Sequence, residues 1–459
     1  MPAEKPENDL LRPRFHFTTR RNWLNDPNGL VWHAGEWHLF YQYNAVGINW
    51  GPNSWGHAVS SDLVHWRQLD DALDPDERFG WIWSGSAVVD HGNTSGFGDG
   101  KEPPLVAMYT TGAPAAGKPC VQGIAFSRDR GRTWAKYDGN PVIGHIVREN
   151  RDPKVIWHAP SKRWVMALYL DRNDFGLFTS PDLKAWTRIQ TVDVPNASEC
   201  PDFFPLNVDG DAAQERWVLW TGDGIYRLGT FDGQRFAPTS GPLVCEHGPN
   251  GYAAQTWSDA PDGRRIQISW MRGGKYPYMP FNQQMSFPVE LTLVTGPEGI
   301  RLHRAPVAEI QSLWGRTQRF ADRTLSSTAT LKPEAGSGCY DLELTFAPVA
   351  TAAGTGVFAC RIHGHVLRWR ADGGSVSLLG RDMPAPLVDG TVTLRILVDR
   401  TSIEVFADRG RTSASYCFLP EPWDAPLELS AENGECRLVS LTVRDVASAL
   451  AGAPARAGA

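Results

Sequence analysis

Residues 55–66, WGHAVSSDLVHW, contain the unit whose repetition decides the fold. The unit is a strand-like run, then Ser-x-Asp at a turn, then a tryptophan that opens the next strand. It returns as GIAFSRDRGRTW over residues 123–134 and as GLFTSPDLKAW over residues 176–186. Weaker copies follow at residues 229–236 and 252–266. Repeats roughly 50–70 residues apart are typical of one four-stranded blade each in a β-propeller.

The segments between these units are also strands by their periodicity. In EWHLFYQYN, residues 36–44, successive side chains alternate between two faces, as a β-strand requires. Amphipathic helical patterns are absent, except that the Ala-rich end after Val446 has helical composition interrupted by Gly and Pro. About five blades fit between Phe15 and His303. We therefore predict an all-β chain whose first part is a five-bladed β-propeller.

The second half of the chain has a different pattern. PVAEIQSLWGRTQRF, residues 306–320, combines proline with mixed polarity and predicts a linker. Beyond it, segments such as residues 390–408 alternate strictly, with Ile403 and Val405 on one face. This pattern is typical of an antiparallel β-sandwich. In chain order we predict an N-terminal extension (1–14), the propeller (15–305), a linker (306–319), the sandwich (320–447) and a flexible tail (448–459).

Composition excludes several classes of function. The chain has 459 residues, 42% of them hydrophobic, and a formal charge of −6, which argues against a nucleic-acid partner. No apolar run approaches the roughly 18 residues of a membrane span. Seven cysteines without a CxxC spacing indicate neither a disulfide framework nor a zinc site. The first 15 residues have no apolar signal core, so we expect a cytoplasmic protein, or a secreted one whose export segment was removed.

Three acidic residues lie in contexts that surface carboxylates rarely occupy. Asp26 stands in the predicted turn NWLNDPNGLVW, between large apolar flanks, while Asp152 precedes a proline and Glu199 precedes Cys200. Each belongs to a different predicted blade, so a propeller would gather them at the mouth of its channel. There the environment would push their pKa values apart, as glycoside hydrolysis requires. The alternative is ordinary Asx-turn formation by the two aspartates and a solvated loop charge at Glu199.

The chain resembles glycoside hydrolase family 32, the β-fructofuranosidases that include invertases, exo-inulinases and levanases. The resemblance runs in order from about Phe15 to Leu291 and resumes over residues 396–420, ILVDRTSIEVFADRGRTSASYCFLP. Six ordered motifs are far more specific than one short motif. The motifs are HFTTRRNWLNDPNGLVW (16–32), FYQYN (40–44), NWGPNSWGHAVSSDLVHW (49–66), WSGSAVVD (83–90), RDPKV (151–155) and ECPDFF (199–204).

The resemblance implies a five-bladed propeller followed by a β-sandwich, and it implies roles for the three carboxylates. Asp26 would be the nucleophile that forms a fructosyl–enzyme intermediate. Glu199 would be the general acid and then the base, and Asp152 would hold fructose hydroxyls and stabilise the transition state. Such an enzyme retains anomeric configuration, with nucleophile and acid roughly 5–5.5 Å apart. It needs no metal and no organic cofactor.

The same resemblance implies a set of residues around the bound fructosyl unit. Amides and a hydroxyl would hydrogen-bond the sugar, tryptophans would wall the pocket, and Arg151 would orient Asp152. For the tryptophans the alternative is core packing, and Cys200 either contacts Glu199 through its thiol or only fills space. The expected substrate-binding residues are Asn25, Gln42, Trp50, Trp83, Ser84, Arg151 and Trp270.

These features predict a retaining, exo-acting β-fructofuranosidase acting on fructans, fructooligosaccharides or sucrose, its partner being a small-molecule or oligosaccharide substrate with β-fructofuranosyl units. The segment from Gly248 to Ala253 departs from the acidic pattern that helps some relatives bind glucose, so strict sucrose specialisation is not implied. A fructosyltransferase on the same scaffold is the nearest alternative. A non-catalytic carbohydrate-binding propeller is a more distant one. Linkage preference and oligomeric state are left open.

Overall fold

A computed structural model describes residues 9–75, 77–336, 338–351, 354–421 and 425–450. The last nine residues of the predicted flexible tail lie outside this part of the chain. The described residues are almost entirely β, with short 3₁₀ helices at Pro114–Ala116, Pro261–Gly263, Ala308–Leu313 and Asp408–Gly410. None of the described helices is long and apolar enough to cross a bilayer.

The N-terminal part contains 22 of the described strands. They are β1 (Asn22–His33), β2 (Glu36–Asn44), β3 (Ser54–Ser60), β4 (Arg67–Gln68), β5 (Trp81–Val89), β6 (Leu105–Ala113), β7 (Lys118–Ser127), β8 (Ala135–Lys136), β9 (Arg151–His158), β10 (Arg163–Asp171), β11 (Asp174–Ser180), β12 (Thr187–Asp193), β13 (Asp202–Val208), β14 (Asp211–Trp220), β15 (Ile225–Phe231), β16 (Phe236–Pro238), β17 (Leu243–Val244), β18 (Gly251–Thr256), β19 (Ile266–Met271), β20 (Phe281–Asn282), β21 (Val289–Gly296) and β22 (Gly299–Pro306).

The C-terminal part forms two further antiparallel sheets around a separate apolar core. Its strands are β23 (Trp314–Leu325), β24 (Tyr340–Thr351), β25 (Gly354–Thr355), β26 (Val357–Ile362), β27 (His365–Arg370), β28 (Ser375–Leu378), β29 (Arg381–Pro384), β30 (Val392–Val398), β31 (Ser402–Ala407), β32 (Thr412–Cys417), β33 (Glu428–Glu432) and β34 (Glu435–Val446).

The strands of the N-terminal part divide into five antiparallel groups. Three groups are separate sheets, β1 to β4 with β20, β5 to β8, and β9 to β12. The other two, β13 to β16 and β18 with β19, β21 and β22, join through one parallel pair, Val208 and Leu293. The first strands touch in a ring, from β1 to β5, β9, β13, β18 and back to β1. The fold is the predicted propeller with a β-sandwich, and we interpret the five groups as its blades.

The Ser-x-Asp-…-Trp repeat has a clear structural cause. In each of the three strong copies the aspartate accepts hydrogen bonds from the serine hydroxyl and from backbone N–H groups that follow it, which closes the turn between the third and fourth strands of a group. In the first copy Asp62 accepts from Ser60 Oγ at 3.0 Å and from His65 N at 2.8 Å, while Trp66 Nε1 donates to Leu63 O at 3.1 Å. The equivalent aspartates of the other copies are Asp129 and Asp182.

The predicted linker over residues 306–319 is wrong at its C-terminal end. Residues 314–319 belong to β23, which pairs with β34 along most of its length. Most side chains of β23 are partly or fully exposed, so its sequence lacks the buried-and-exposed alternation that identifies a half-buried strand. The connection between propeller and sandwich is therefore residues 307–313, most of which form a 3₁₀ helix.

Buried charged groups join the propeller to the sandwich. His16 lies between Asp399, with Nδ1–Oδ2 at 2.8 Å, and Glu404, with Nε2–Oε2 at 2.7 Å. Glu246 accepts from Arg304 Nη1 at 2.7 Å and from the backbone N–H of Ser415 in β32 at 2.8 Å. Because buried charges are stable only when they are paired, these contacts fix the position of the sandwich against the propeller.

Candidate active site

Asp26 lies on a bulged strand and not on the turn that its sequence suggests. β1 continues through the whole stretch, and its pairing with β2 jumps from Leu24–Tyr43 to Pro27–Tyr41. Asn25 and Asp26 therefore face a single partner residue, which is a β-bulge. The turn prediction for this stretch is wrong because the apolar flanks pair with β2 and keep the chain extended. The bulge is what re-aims the Asp26 side chain.

β1 also requires a glycine at position 29, two residues after Pro27. Gly29 has φ +55°, and a Cβ there would lie 2.6 Å from Phe40 Cδ2. Only glycine combines this left-handed backbone with such a close aromatic neighbour. The Asn-Asp-Pro-Asn-Gly composition thus serves a distorted strand.

The Asp26 carboxylate is buried and surrounded by donors. Its Oδ2 accepts from Ser84 Oγ at 2.6 Å and Gln42 Nε2 at 3.2 Å, and its Oδ1 accepts from Asn25 Nδ2 at 3.3 Å. Gln42 also donates to Ser84 Oγ at 2.5 Å. Three of the sequence-predicted binding residues therefore orient the carboxylate itself. Hydrogen bonds of this kind to a charged acceptor are stronger than those between neutral groups.

Asp152 reaches the same place from β9. Its Oδ2 accepts from the backbone N–H of Cys200 at 3.1 Å, and the Cys200 Sγ lies 3.5 Å from Asp152 Oδ2 and 3.6 Å from Asp26 Oδ2. The thiol thus lies at hydrogen-bond distance from two carboxylates, those of Asp26 and Asp152, whereas the sequence led us to consider Glu199 as its partner. Asp152, Glu199 and Cys200 all have left-handed backbone, with φ of +64°, +52° and +42°. Such strained conformations are concentrated at functional sites.

Glu199 is held by two donors. Arg151 Nη2 lies 2.5 Å from Glu199 Oε1, and the Tyr252 hydroxyl donates to Glu199 Oε2 at 2.6 Å. Arg151 Nε is 3.7 Å from Asp152 Oδ2, an ion-pair distance that is too long for a hydrogen bond. The expected hydrogen bond from Arg151 to Asp152 is therefore corrected: Arg151 bonds Glu199. The Arg151 side chain extends so that Nη2 reaches Glu199, while Nε stays beside the carboxylate of Asp152.

Burial and crowding set the charge state of the two aspartates. Burial raises the pKa of Asp26, the Ser84 hydrogen bond opposes that rise, and the nearby charge of Glu199 adds to it. Burial raises the pKa of Asp152 to about 7, with the Arg151 charge opposing and the charges of Asp26 and Glu199 contributing. The charge on one carboxylate makes ionisation of the next less favourable. Enzymes that divide the acid and nucleophile roles between carboxylates use this effect to keep them in different charge states.

The three predicted wall tryptophans differ in their surroundings. Trp50 is 52% exposed and meets Trp83 edge to face, with ring centroids 6.4 Å apart. Trp270 packs edge to face on Tyr252 at 6.2 Å and on Trp23 at 6.0 Å. Trp270 therefore touches a residue that holds Glu199, while Trp50 offers its surface to solvent.

Sequence reasoning missed Tyr252 as a site residue. Tyr252 is the second residue of β18, just as Asp152 is the second residue of β9. The first strands of three groups, β1, β5 and β9, supply Asp26, Ser84 and Asp152. The beginning of β18, which is the first strand of the fifth group, could therefore be expected to supply another site residue. The repeat unit could not supply that signal, because it marks the turn between the third and fourth strands, whereas residues 252–266 cover β18 and the start of β19, the first two strands of the fifth group.

Comparisons with known proteins agree with this architecture. The family model for the glycosyl hydrolases family 32 N-terminal domain matches residues 16–306, and the model for the family 32 C terminal matches residues 309–445. A levanase of Bacillus subtilis (strain 168) is 40% identical over 479 residues, which covers 94% of this chain and 70% of that protein. An extracellular exo-inulinase of Aspergillus niger is 32% identical over 513 residues, which covers 95% of each.

Solved structures agree as well. The crystal structure of exo-inulinase from Aspergillus awamori superposes with a TM-score of 0.87 at 28% identity, covering 97% of this chain and all of that chain. A fructofuranosidase from Schwanniomyces occidentalis, complexed with fructosylnystose, gives 0.87 at 25% identity, covering 98% and 100%. With both family models matched in order over most of its length, the chain belongs to glycosyl hydrolases family 32 and is a glycoside hydrolase of the β-fructofuranosidase type.

Proposed function

We propose that the chain is a retaining, exo-acting β-fructofuranosidase that releases terminal β-D-fructofuranosyl units from fructans, fructooligosaccharides or sucrose. One observation carries the proposal: Asp26 and Asp152 meet at the thiol of Cys200, and Arg151 links Asp152 to Glu199. A nucleophile and an acid on opposite sides of a glycosidic bond are what retaining hydrolysis uses. The names of the relatives, a levanase and exo-inulinases, support the substrate class and the exo mode.

Asp26 is the proposed nucleophile. It is 8% exposed, and the donors on both of its oxygens fix its orientation. Its attack on C2 of the fructosyl unit forms an ester bond as the bond to the leaving sugar breaks. Because the carboxylate is already fixed, little freedom is lost on reaching the transition state.

Glu199 is the proposed general acid and base. Its side chain is 31% exposed, whereas that of Asp152 is 3% exposed. Of these two groups, Glu199 is therefore the better placed to protonate a leaving sugar and then to take a proton from an entering water. Asp152, which stays inside beside Arg151, would bind fructose hydroxyls and stabilise the positive charge that develops in the transition state.

Product analysis tests this proposal. The protein is incubated with sucrose, inulin and levan, and sugars are identified over time beside the Asp26→Ala variant. We expect free fructose as the first product from the polymers, without intermediate oligofructosides, and almost no product from Asp26→Ala. Oligofructosides that exceed free fructose at high sucrose would favour a transferase. Wild-type turnover by Asp26→Ala would refute the assignment of the site.

A further inference from the structure

Arg272 lies directly beside the residues that hold Glu199. Its guanidinium carbon is 3.8 Å from the centroid of the Tyr252 ring, and the hydroxyl of that ring donates to Glu199 Oε2 at 2.6 Å. Tyr252 is buried, whereas Arg272 is exposed, so the guanidinium covers the tyrosine on its solvent side. A single side chain therefore separates this cation from the proposed general acid.

The backbone around Arg272 is fixed by hydrogen bonds. The N–H of Arg272 donates to Asn250 O at 2.7 Å, and its carbonyl accepts from Asn250 Nδ2 at 2.6 Å. The next N–H, that of Gly273, donates at 3.1 Å to Oε1 of the buried Gln283, which also accepts from Trp270 Nε1 at 3.1 Å. A guanidinium that stacks on a ring and is carried by a fixed backbone loses less conformational freedom when it binds a ligand than a loose surface side chain does.

The N–H groups of the Arg272 guanidinium are unused. Within the described part of the chain the guanidinium has neither an ion-pair partner nor a hydrogen-bond acceptor, and its contact is the stacking on Tyr252. Arg151, the other arginine near Glu199, donates instead to Glu149 O and to Glu199 Oε1. Stacking uses the face of a guanidinium and leaves its N–H donors in the plane. Arg272 therefore offers free donors beside the general acid.

The chemistry of the reaction indicates what these donors would meet. A general acid protonates the oxygen of the leaving sugar, so that sugar lies beside the exposed side of Glu199. Its hydroxyls are hydrogen-bond acceptors of the kind that an arginine can bind. The same pocket contains the carboxylates of Asp26 and Asp152, which would repel an anionic leaving group. A neutral sugar is therefore the ligand that suits this position.

We propose that Arg272 determines specificity on the leaving-group side by donating hydrogen bonds to hydroxyls of the leaving sugar. It strengthens binding of substrates in which a sugar follows the terminal fructosyl unit, and it contributes nothing to a substrate without that sugar. This inference rests on the proposed function, because it requires Glu199 to be the general acid.

Kinetics with two kinds of substrate test the proposal. kcat/KM is measured with sucrose, inulin and levan, which release a sugar, and with β-D-fructofuranosyl fluoride, which releases fluoride. Arg272→Met removes the donors and keeps an unbranched side chain that can cover Tyr252. Lys275→Met, the same change at an exposed cation in the same segment, is the matched control. We expect Arg272→Met to lower kcat/KM about tenfold for the three sugars and less than twofold for the fluoride, and Lys275→Met to change neither.

A pH profile separates this role from an indirect effect through Glu199. The alkaline limb of kcat/KM for sucrose reports the ionisation of the general acid. We expect Arg272→Met to lower the whole profile and to leave the position of that limb unchanged. A limb that moves while the height of the profile is retained would overturn the proposal, because the guanidinium would then act on the charge of Glu199.

Three further results would refute the role of Arg272. An equal loss with the fluoride would place the effect at the fructosyl unit or in the fold. Unchanged kcat/KM for all three sugars would mean that the guanidinium is only solvated, and the same loss in Lys275→Met would reduce the effect to surface charge. A wild type that releases no fructose from sucrose, inulin or levan would refute the proposed function itself, whereas these three results with an active wild type refute only the role of Arg272.

Discussion

Replacing Ser84 by alanine should shift the acid limb of the pH–activity profile. Ser84 Oγ donates to Asp26 Oδ2 at 2.6 Å, and this hydrogen bond opposes the rise that burial imposes on the pKa of Asp26. A hydrogen bond to a charged group contributes about 1.5–3 kcal/mol, and one pKa unit corresponds to about 1.36 kcal/mol. Loss of the donor should therefore raise the pKa of Asp26 and, at pH values below the acid limb, lower kcat/KM roughly 10- to 100-fold. Gln42 Nε2, at 3.2 Å, offsets only part of this because its contact is longer.

The role of Asp26 determines in which direction the acid limb of the pH–activity profile moves. The carboxylate must be ionised to attack, so a higher pKa removes activity from the acidic side and leaves the alkaline limb in place. The assay is kcat/KM measured across pH for the wild type, Ser84→Ala and Ser86→Ala. Ser86 lies on the same strand and is equally buried, but it donates to Pro153 O. An acid limb that stays fixed in Ser84→Ala, or moves equally in Ser86→Ala, would refute the reasoning.

Two further perturbations follow from the contacts. Tyr252→Phe removes the 2.6 Å hydrogen bond to Glu199 and should lower kcat/KM about 10- to 100-fold. The control is Tyr278→Phe, at a fully exposed position, which should leave kcat/KM unchanged. Equal rates for both variants would contradict the role assigned to Tyr252. Burial alone would lower the pKa of His16, but hydrogen bonds to its two carboxylate partners raise it from 6.5 to about 9. Its contribution, on the order of 3 kcal/mol, is complete below pH 6.5 and is lost as pH rises through 9. Thermal unfolding across pH should show this loss in the wild type and in the exposed His145→Gln control but not in His16→Gln; the same slope in all three would exclude this linkage.

Local patterns predicted the architecture because each repeat carries the residues that build it. Asp62 and Trp66 close their turn within the unit WGHAVSSDLVHW, so the periodicity is visible without any long-range contact. The alternation over residues 36–44 likewise predicts a strand, and β2 spans those residues. The carboxylate cluster was predicted from its motifs, and the geometry brings these residues together.

Features that depend on distant residues were not predictable in this way. The bulge at Asp26 arises from its register with β2, which the composition of the segment does not encode. Arg151 selects Glu199, which is 48 residues away, over its neighbour Asp152. The start of β23 was missed because its side chains are mostly exposed, so no burial pattern marked it as a strand.

The most direct test of the central claim is to identify the residue that carries the fructosyl unit during turnover. The Glu199→Gln variant, which lacks the base for the second step, is mixed with β-D-fructofuranosyl fluoride, whose leaving group needs no acid. The reaction is quenched in acid, and peptides are analysed by mass spectrometry. We predict one added fructosyl residue on the peptide that contains Asp26, and none in the Asp26→Asn, Glu199→Gln double variant. An adduct on Asp152, or fluoride release without any adduct, would contradict the account.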